Sequence, residues 1–213
     1  LKPDEPYALN VRAEWLRKRR QHAQIVKELE PHLDNPFLNG GWYGKANMRY
    51  LRNLLRAYEE VGAWAKVPKV YGFMIKYYPL KDYTSDSARR RYRTSWKTRH
   101  ENQTKRYKAD LLTYHEAAAD AWKKAGQDCK SIPGYRYVAE RSQIRDYQIK
   151  EKYAIALLRC KKWAEAPHEV QVALSANRGT KSTLLAEMYR LKKTATGADA
   201  KALESLIEKA GKW

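Results

Sequence analysis

Residues Tyr50 to Pro79 read "YLRNLLRAYEEVGAWAKVPKVYGFMIKYYP", and this stretch decides the fold class. Leu51, Leu54, Leu55 and Tyr58, with Tyr50 beside them, recur at three- and four-residue spacing, so a helix over Asn47 to Val61 carries one apolar stripe. Gly62 stands where a left-handed glycine closes a helix. Val67, Val70, Tyr71, Met74 and Ile75 repeat the pattern in a second arm that ends before Pro79. Pro68 has no N–H to donate, which costs nothing within the first turn, so it marks where that arm begins. Trp64 falls in the elbow, with a ring large enough to fill it. The spacing predicts a helical hairpin over about 47–78.

Further along, "CKKWAEAPHEV" (Cys160 to Val170) repeats the Trp-Ala-x-x-Pro of "VGAWAKVPKV" (Val61 to Val70). Superposing them pairs Tyr58 with Leu157, Val61 with Cys160, Trp64 with Trp163, Pro68 with Pro167 and Tyr71 with Val170. "DAWKKAG" ends at Gly126, 35 residues before Lys161, the position matching Gly62. A period in the mid-thirties is that of helix-turn-helix arrays, whose faces are buried only by stacking on neighbours.

Working outward, an N-terminal helix is predicted over 10–29, with Trp15, Leu16, Ile25, Val26 and Leu29 at helical spacing and Pro31 as its stop. "NPFLNGGWYGK" (Asn35 to Lys45) reads as a turn-rich loop. A basic connector spans 85–108. A second repeat region covers 110–176: a helix from Leu111 to Gly126, a loop at "SIPGYRY" (Ser131 to Tyr137), a helix from Arg145 to Arg159, and one running from Trp163 to about Ala176. Helices from Thr183 to Lys193 and Asp199 to Ala210 form a C-terminal hairpin over 183–211. Strand-like alternation is nearly absent. The expectation is an all-α array of helix-turn-helix hairpins, one helical-repeat domain over 1–213.

The paired Leu, the Tyr three residues on, the small-residue and Gly stop and the apolar second helix ending in Met make Tyr50 to Pro79 resemble a pentatricopeptide repeat. "KYAIALLRCKKWAEAPHEVQVAL" (Lys152 to Leu174) is a less close copy. The family implies single-stranded RNA binding, read through a position usually held by Asn, Thr or Ser. That position falls here on Arg52 and Glu151, so the resemblance implies the hairpin scaffold without base reading. In repeat type, length and lost reading positions the chain also resembles the extra, non-catalytic subunit of euglenozoan mitochondrial F1-ATP synthases. This resemblance implies an accessory subunit bound to the F1 alpha or beta subunits, on the matrix face of the inner membrane or in the matrix. An RNA-binding pentatricopeptide-like or mitoribosomal protein is the alternative.

The 43 Lys and Arg against 24 Asp and Glu give a net charge of +19, a field that draws anionic partners: acidic protein surfaces, nucleic acid or anionic headgroups. Aromatic usage is skewed to rings with a polar handle, 16 Tyr and 7 Trp against 2 Phe, which suits half-wet surfaces. Cys129 and Cys160 are too few and too isolated for a disulfide framework, and a reducing or neutral compartment is the expectation. No window is apolar enough to span a bilayer. The chain opens on Leu1 and not Met, which leaves open a removed targeting peptide or a trimmed end.

Catalytic chemistry finds little purchase. His22, His32, His100, His115 and His168 never pair at i, i+3 or i, i+4, and "YHEAAAD" puts Ala118 and Ala119 where a zinc-protease motif needs its second half. "NRGTKST" lacks the second Gly of a phosphate loop and reads as a turn between helices. No nucleophile motif occurs. No catalytic, metal or cofactor residue is expected, and the protein is expected not to be an enzyme. The remaining candidate is Ala88 to Lys108, with nine Lys or Arg and a single Glu. Arg89, Arg90, Arg91, Arg93, Lys97, Arg99, Lys105 and Arg106, interleaved with Tyr92, Trp96 and Tyr107, are the interaction candidates for an acidic protein surface or RNA. A solvated connector is the plain reading of the same charges.

Overall fold

The computed structural model describes residues 6–34, 44–76, 84–142, 146–177 and 179–213. Among the described residues the regular structure is helical and no strand occurs, so the chain is all-α, built of helices packed against one another. It divides into two compact units, Leu1–Ala121 and Trp122–Trp213.

In the first unit α1 (Pro6–Lys18), α2 (His22–Leu29), α3 (Gly44–Glu60) and α4 (Val67–Lys76) form a cluster in which α1, α2 and α4 all pack on α3. Its stripe of Tyr50, Leu51, Leu54 and Tyr58 is almost fully buried, as the spacing predicts. Tyr50 is 0% exposed and its hydroxyl donates to the Leu29 carbonyl, which satisfies the one polar atom of a buried ring. Burial drives the Tyr50 phenol well above its ordinary range, so it remains a donor. Asn53 Nδ2 donates to Asn10 Oδ1 at 3.3 Å, a buried tie between α3 and α1. The unit also holds α5 (Asp86–Tyr92) and most of α6 (Trp96–Lys124).

In the second unit α8 (Tyr147–Arg159) is the buried axis, with Ile149, Tyr153, Ala154, Leu157 and Leu158 shielded from solvent. It is flanked by α7 (Asp128–Arg141) and α9 (Ala166–Ala176), with α10 (Thr180–Lys192) packed on α8 and α11 (Gly197–Lys212) on α10.

The register read from the sequence appears in the turns. Four helices end on a left-handed residue whose successor bonds back five residues: Gln21 N–H to Leu16 O after Arg20, Ala63 to Tyr58 after Gly62, Gln127 to Trp122 after Gly126, and Lys162 to Leu157 after Lys161. These are the six-to-one bonds of a Schellman closure. Gly62 and Lys161, paired by the repeat, have φ of 71° and 56°. Pro68 and Pro167 then occupy the second position of α4 and α9, where a missing N–H is harmless. Trp64 and Trp163 sit half-buried in the intervening turns.

Several expectations are corrected. The helix over 10–29 is two helices, because Arg20 at φ 55° closes α1 and the chain turns back; Trp15 consequently lies outside the core, 51% exposed. "SIPGYRY" is helical within α7 despite Pro133. An interior proline costs about 3 kcal/mol, but Ile132, Tyr135 and Val138 bury one face at helical spacing while Pro133 points to solvent. The basic connector 85–108 is likewise mostly helix. Cys129 and Cys160 are joined in a disulfide, Cα atoms 5.4 Å apart, because α7 and α8 run as a hairpin that brings the start of one to the end of the other. The loop read at 35–45 lies, save Gly44 and Lys45, outside the described residues; so do Pro79 and the predicted helix start at Arg145.

Candidate functional site

The basic segment is a built corner. Ser85 caps α5 by accepting the Ala88 N–H at 3.4 Å, and Arg89, Arg90 and Arg91 fill the last turn, where cations suit the helix dipole. Arg93 breaks the helix at φ 40°, and a single turn over Arg93–Ser95 leads into α6. The Ser95 hydroxyl donates to Tyr92 O at 2.9 Å, tying the turn down.

Across this corner two cation–π pairs interlock. Arg89 of α5 lies over the Trp96 ring of α6, 4.7 Å from its centroid, and Arg99 of α6 lies over the Tyr92 ring of α5 at 4.8 Å. Lys97 approaches Trp96 as well, at 5.8 Å. Arg99 Nε also donates to Ser95 Oγ at 3.3 Å. A guanidinium held over a ring still has edge donors to offer a planar anion. The aromatic faces meanwhile are engaged by the protein's own cations.

The structure therefore brings Arg89, Tyr92, Trp96, Lys97 and Arg99 together. Arg90, Arg91 and Arg93 are exposed on α5 and its closing turn. Lys105 and Arg106 lie farther along α6, about 10 Å beyond Arg99 by helical rise, on its exposed side. Tyr107 joins Trp96, His100 and Gln103 on a half-buried stripe at positions i, i+4, i+7 and i+11. This stripe is what makes α6 an amphipathic surface helix instead of a connector.

Of the two residues that the resemblance puts at base-reading positions, Arg52 is exposed on α3, and Glu151 is half-buried on α8. Burial raises the Glu151 carboxyl, with Lys123 opposing. Among the described residues no group of three or more His, Cys, Asp or Glu is placed to hold a metal ion, and no helix is long and apolar enough to cross a membrane.

Two constellations escaped the sequence. Arg159 bridges Asp128 and Glu187, and Arg190 grips Glu187 from the following turn. Trp163 Nε1–H donates to Asp199 Oδ1 at 2.8 Å while Lys161 Nζ meets Asp199 Oδ2 at 2.6 Å, so the repeat's Trp reaches α11 as well as its own elbow. The partners in each set are scattered along the chain, and only the folded hairpins juxtapose them. No protein-family model matches the chain, and no curated protein matches it in sequence.

Proposed function

We propose that this chain is a non-catalytic scaffold subunit of a large mitochondrial assembly, docking through the α5–α6 corner on an acidic surface of a partner protein. The observation that carries the reading is the pair of interlocked stacks, Arg89 on Trp96 and Arg99 on Tyr92. They hold guanidiniums ready for carboxylates and engage rings that base stacking would need. The first candidate partner is the F1 sector of ATP synthase, through its alpha or beta subunits, on the matrix side of the inner membrane. That choice rests on the resemblance in repeat type, length and lost reading positions. The helical hairpins support it as the kind of element from which scaffold surfaces are built.

Co-migration on a native gel tests the assignment: the chain is expected with ATP synthase subunits, and its appearance with ribosomal subunits overturns the reading. Retention of single-stranded RNA at near-physiological salt, lost steeply as salt rises, would establish the RNA-binding alternative instead. Charge reversal at Arg89 and Arg99 is expected to release the chain from its complex without unfolding it.

A further inference from the structure

Among the described residues six large apolar side chains are exposed, and three of them, Tyr7 at 63%, Val11 at 50% and Trp15 at 51%, fall at i, i+4 and i+8 of α1. The other three are apart from them: Val61 follows α3, Tyr189 is in α10 and Trp213 follows α11. The opposite face of α1 carries Leu9, Ala13 and Leu16 into the core. This helix thus carries apolar side chains on a second, exposed side, where Glu14 and Lys18 lie among them. Arg19 extends the outer stripe by lying over Trp15, 3.5 Å from the ring centroid, and Lys18 is exposed beside it. Arg12, on the flank, is paired with Glu28 at 2.6 Å.

An exposed apolar stripe on a helix of a hairpin array marks a face on which another element stacks. We propose that the outer face of α1 is a docking stripe for an acidic amphipathic helix of a partner protein. Tyr7, Val11 and Trp15 span about 12 Å, two helical turns, the footprint of one helix laid alongside. The cations at the Trp15 end select carboxylates on that helix. A second copy of this chain would bring the same stripe, the same cations and another +19 of charge, and nucleic acid offers no apolar ridge. A lipid surface calls for a broader apolar face than three residues provide. The stripe is separate from the α5–α6 corner, so either surface stands if the other fails.

The test uses the full chain and a labelled helical peptide of about 18 residues with a Leu stripe at i, i+3, i+4 and Glu on its flanks. A twin peptide has Lys for Glu. Binding of the acidic peptide is expected, with affinity reduced at least about tenfold by Val11→Asp and unchanged by Tyr189→Asp, which alters an exposed aromatic of the second unit. Circular dichroism and melting of Val11→Asp should match the parent, since the position is exposed. The proposal is overturned if the acidic peptide fails to bind, if the Lys twin binds as well, or if Val11→Asp binds as the parent does. Val11-dependent binding to phosphatidylglycerol vesicles, or Val11-dependent dimerisation in sedimentation, overturns it equally.

Discussion

Arg159 Nε lies 2.8 Å from Glu187 Oε1 while its Nη1 lies 3.0 Å from Asp128 Oδ1, so one guanidinium ties the end of α8 to α10 and to the start of α7. Arg159→Ala removes it and leaves two half-buried carboxylates facing each other. A loss of about 2 kcal/mol is expected in urea unfolding.

The same network sets a pH dependence. The Glu187 carboxyl is held down to about 2, first by its hydrogen bonds from Arg190 and then by Arg159, against an ordinary 4.5. Its folded value is below its unfolded one, so the stabilisation is complete above the ordinary value and is lost as pH falls from there towards about 2. Acid unfolding of Glu187→Gln should be correspondingly flatter across that window. If both proteins show the same slope, the network carries no linkage.

The Cys129–Cys160 bond closes a sequence separation of 31 residues, for which chain entropy gives about 3 to 4 kcal/mol. Reduction, or Cys129→Ser, should lower the stability of the second unit by that order. Alkylation under denaturing conditions without reductant should label neither cysteine.

Gly62 sits at φ 71° with open space where a Cβ would point. Gly62→Ala therefore meets only the backbone cost of the left-handed region, and about 1 kcal/mol of destabilisation is expected. Arg20→Gly, at φ 55°, should go the other way by several tenths. Opposite shifts of the melting temperature check the pair.

Trp64 is half-buried against the core, so Trp64→Ala should cost less than the ~3 to 5 kcal/mol of a fully buried ring, about 2. Trp163→Phe keeps a six-membered ring and removes the pyrrole part with its donor to Asp199. About 1 kcal/mol is expected, and thermal melts of the two variants should rank accordingly.

Apolar period and proline position made α3, α4, α8 and α9 legible, because both reflect local geometry. The break that escaped was at Arg20, where a long cationic residue at left-handed φ does the work usually left to glycine; Lys161 does the same, but the repeat had marked its turn. Pro133 misled in the opposite sense, since its helix is held by Ile132, Tyr135 and Val138 packing in the folded unit. The basic corner could be read as a list of charges. The swap of Arg89 onto Trp96 and Arg99 onto Tyr92 depended on the φ of Arg93, which only the folded chain supplies.

The four left-handed closures also bear on how the chain reaches its fold. Three of them turn a helix back onto the element that follows it in sequence, α1 onto α2, α3 onto α4 and α8 onto α9, and in the second unit α8 finds its partners in the helices immediately before and after. Contacts between sequence neighbours need little loop closure before they are rewarded, so each unit should assemble rapidly, on the microsecond-to-millisecond scale of low-contact-order helical proteins. The disulfide joins the two arms of a single such hairpin, α7 and α8. Oxidation can accordingly follow folding as a late fastening step, with no need for it to direct the search.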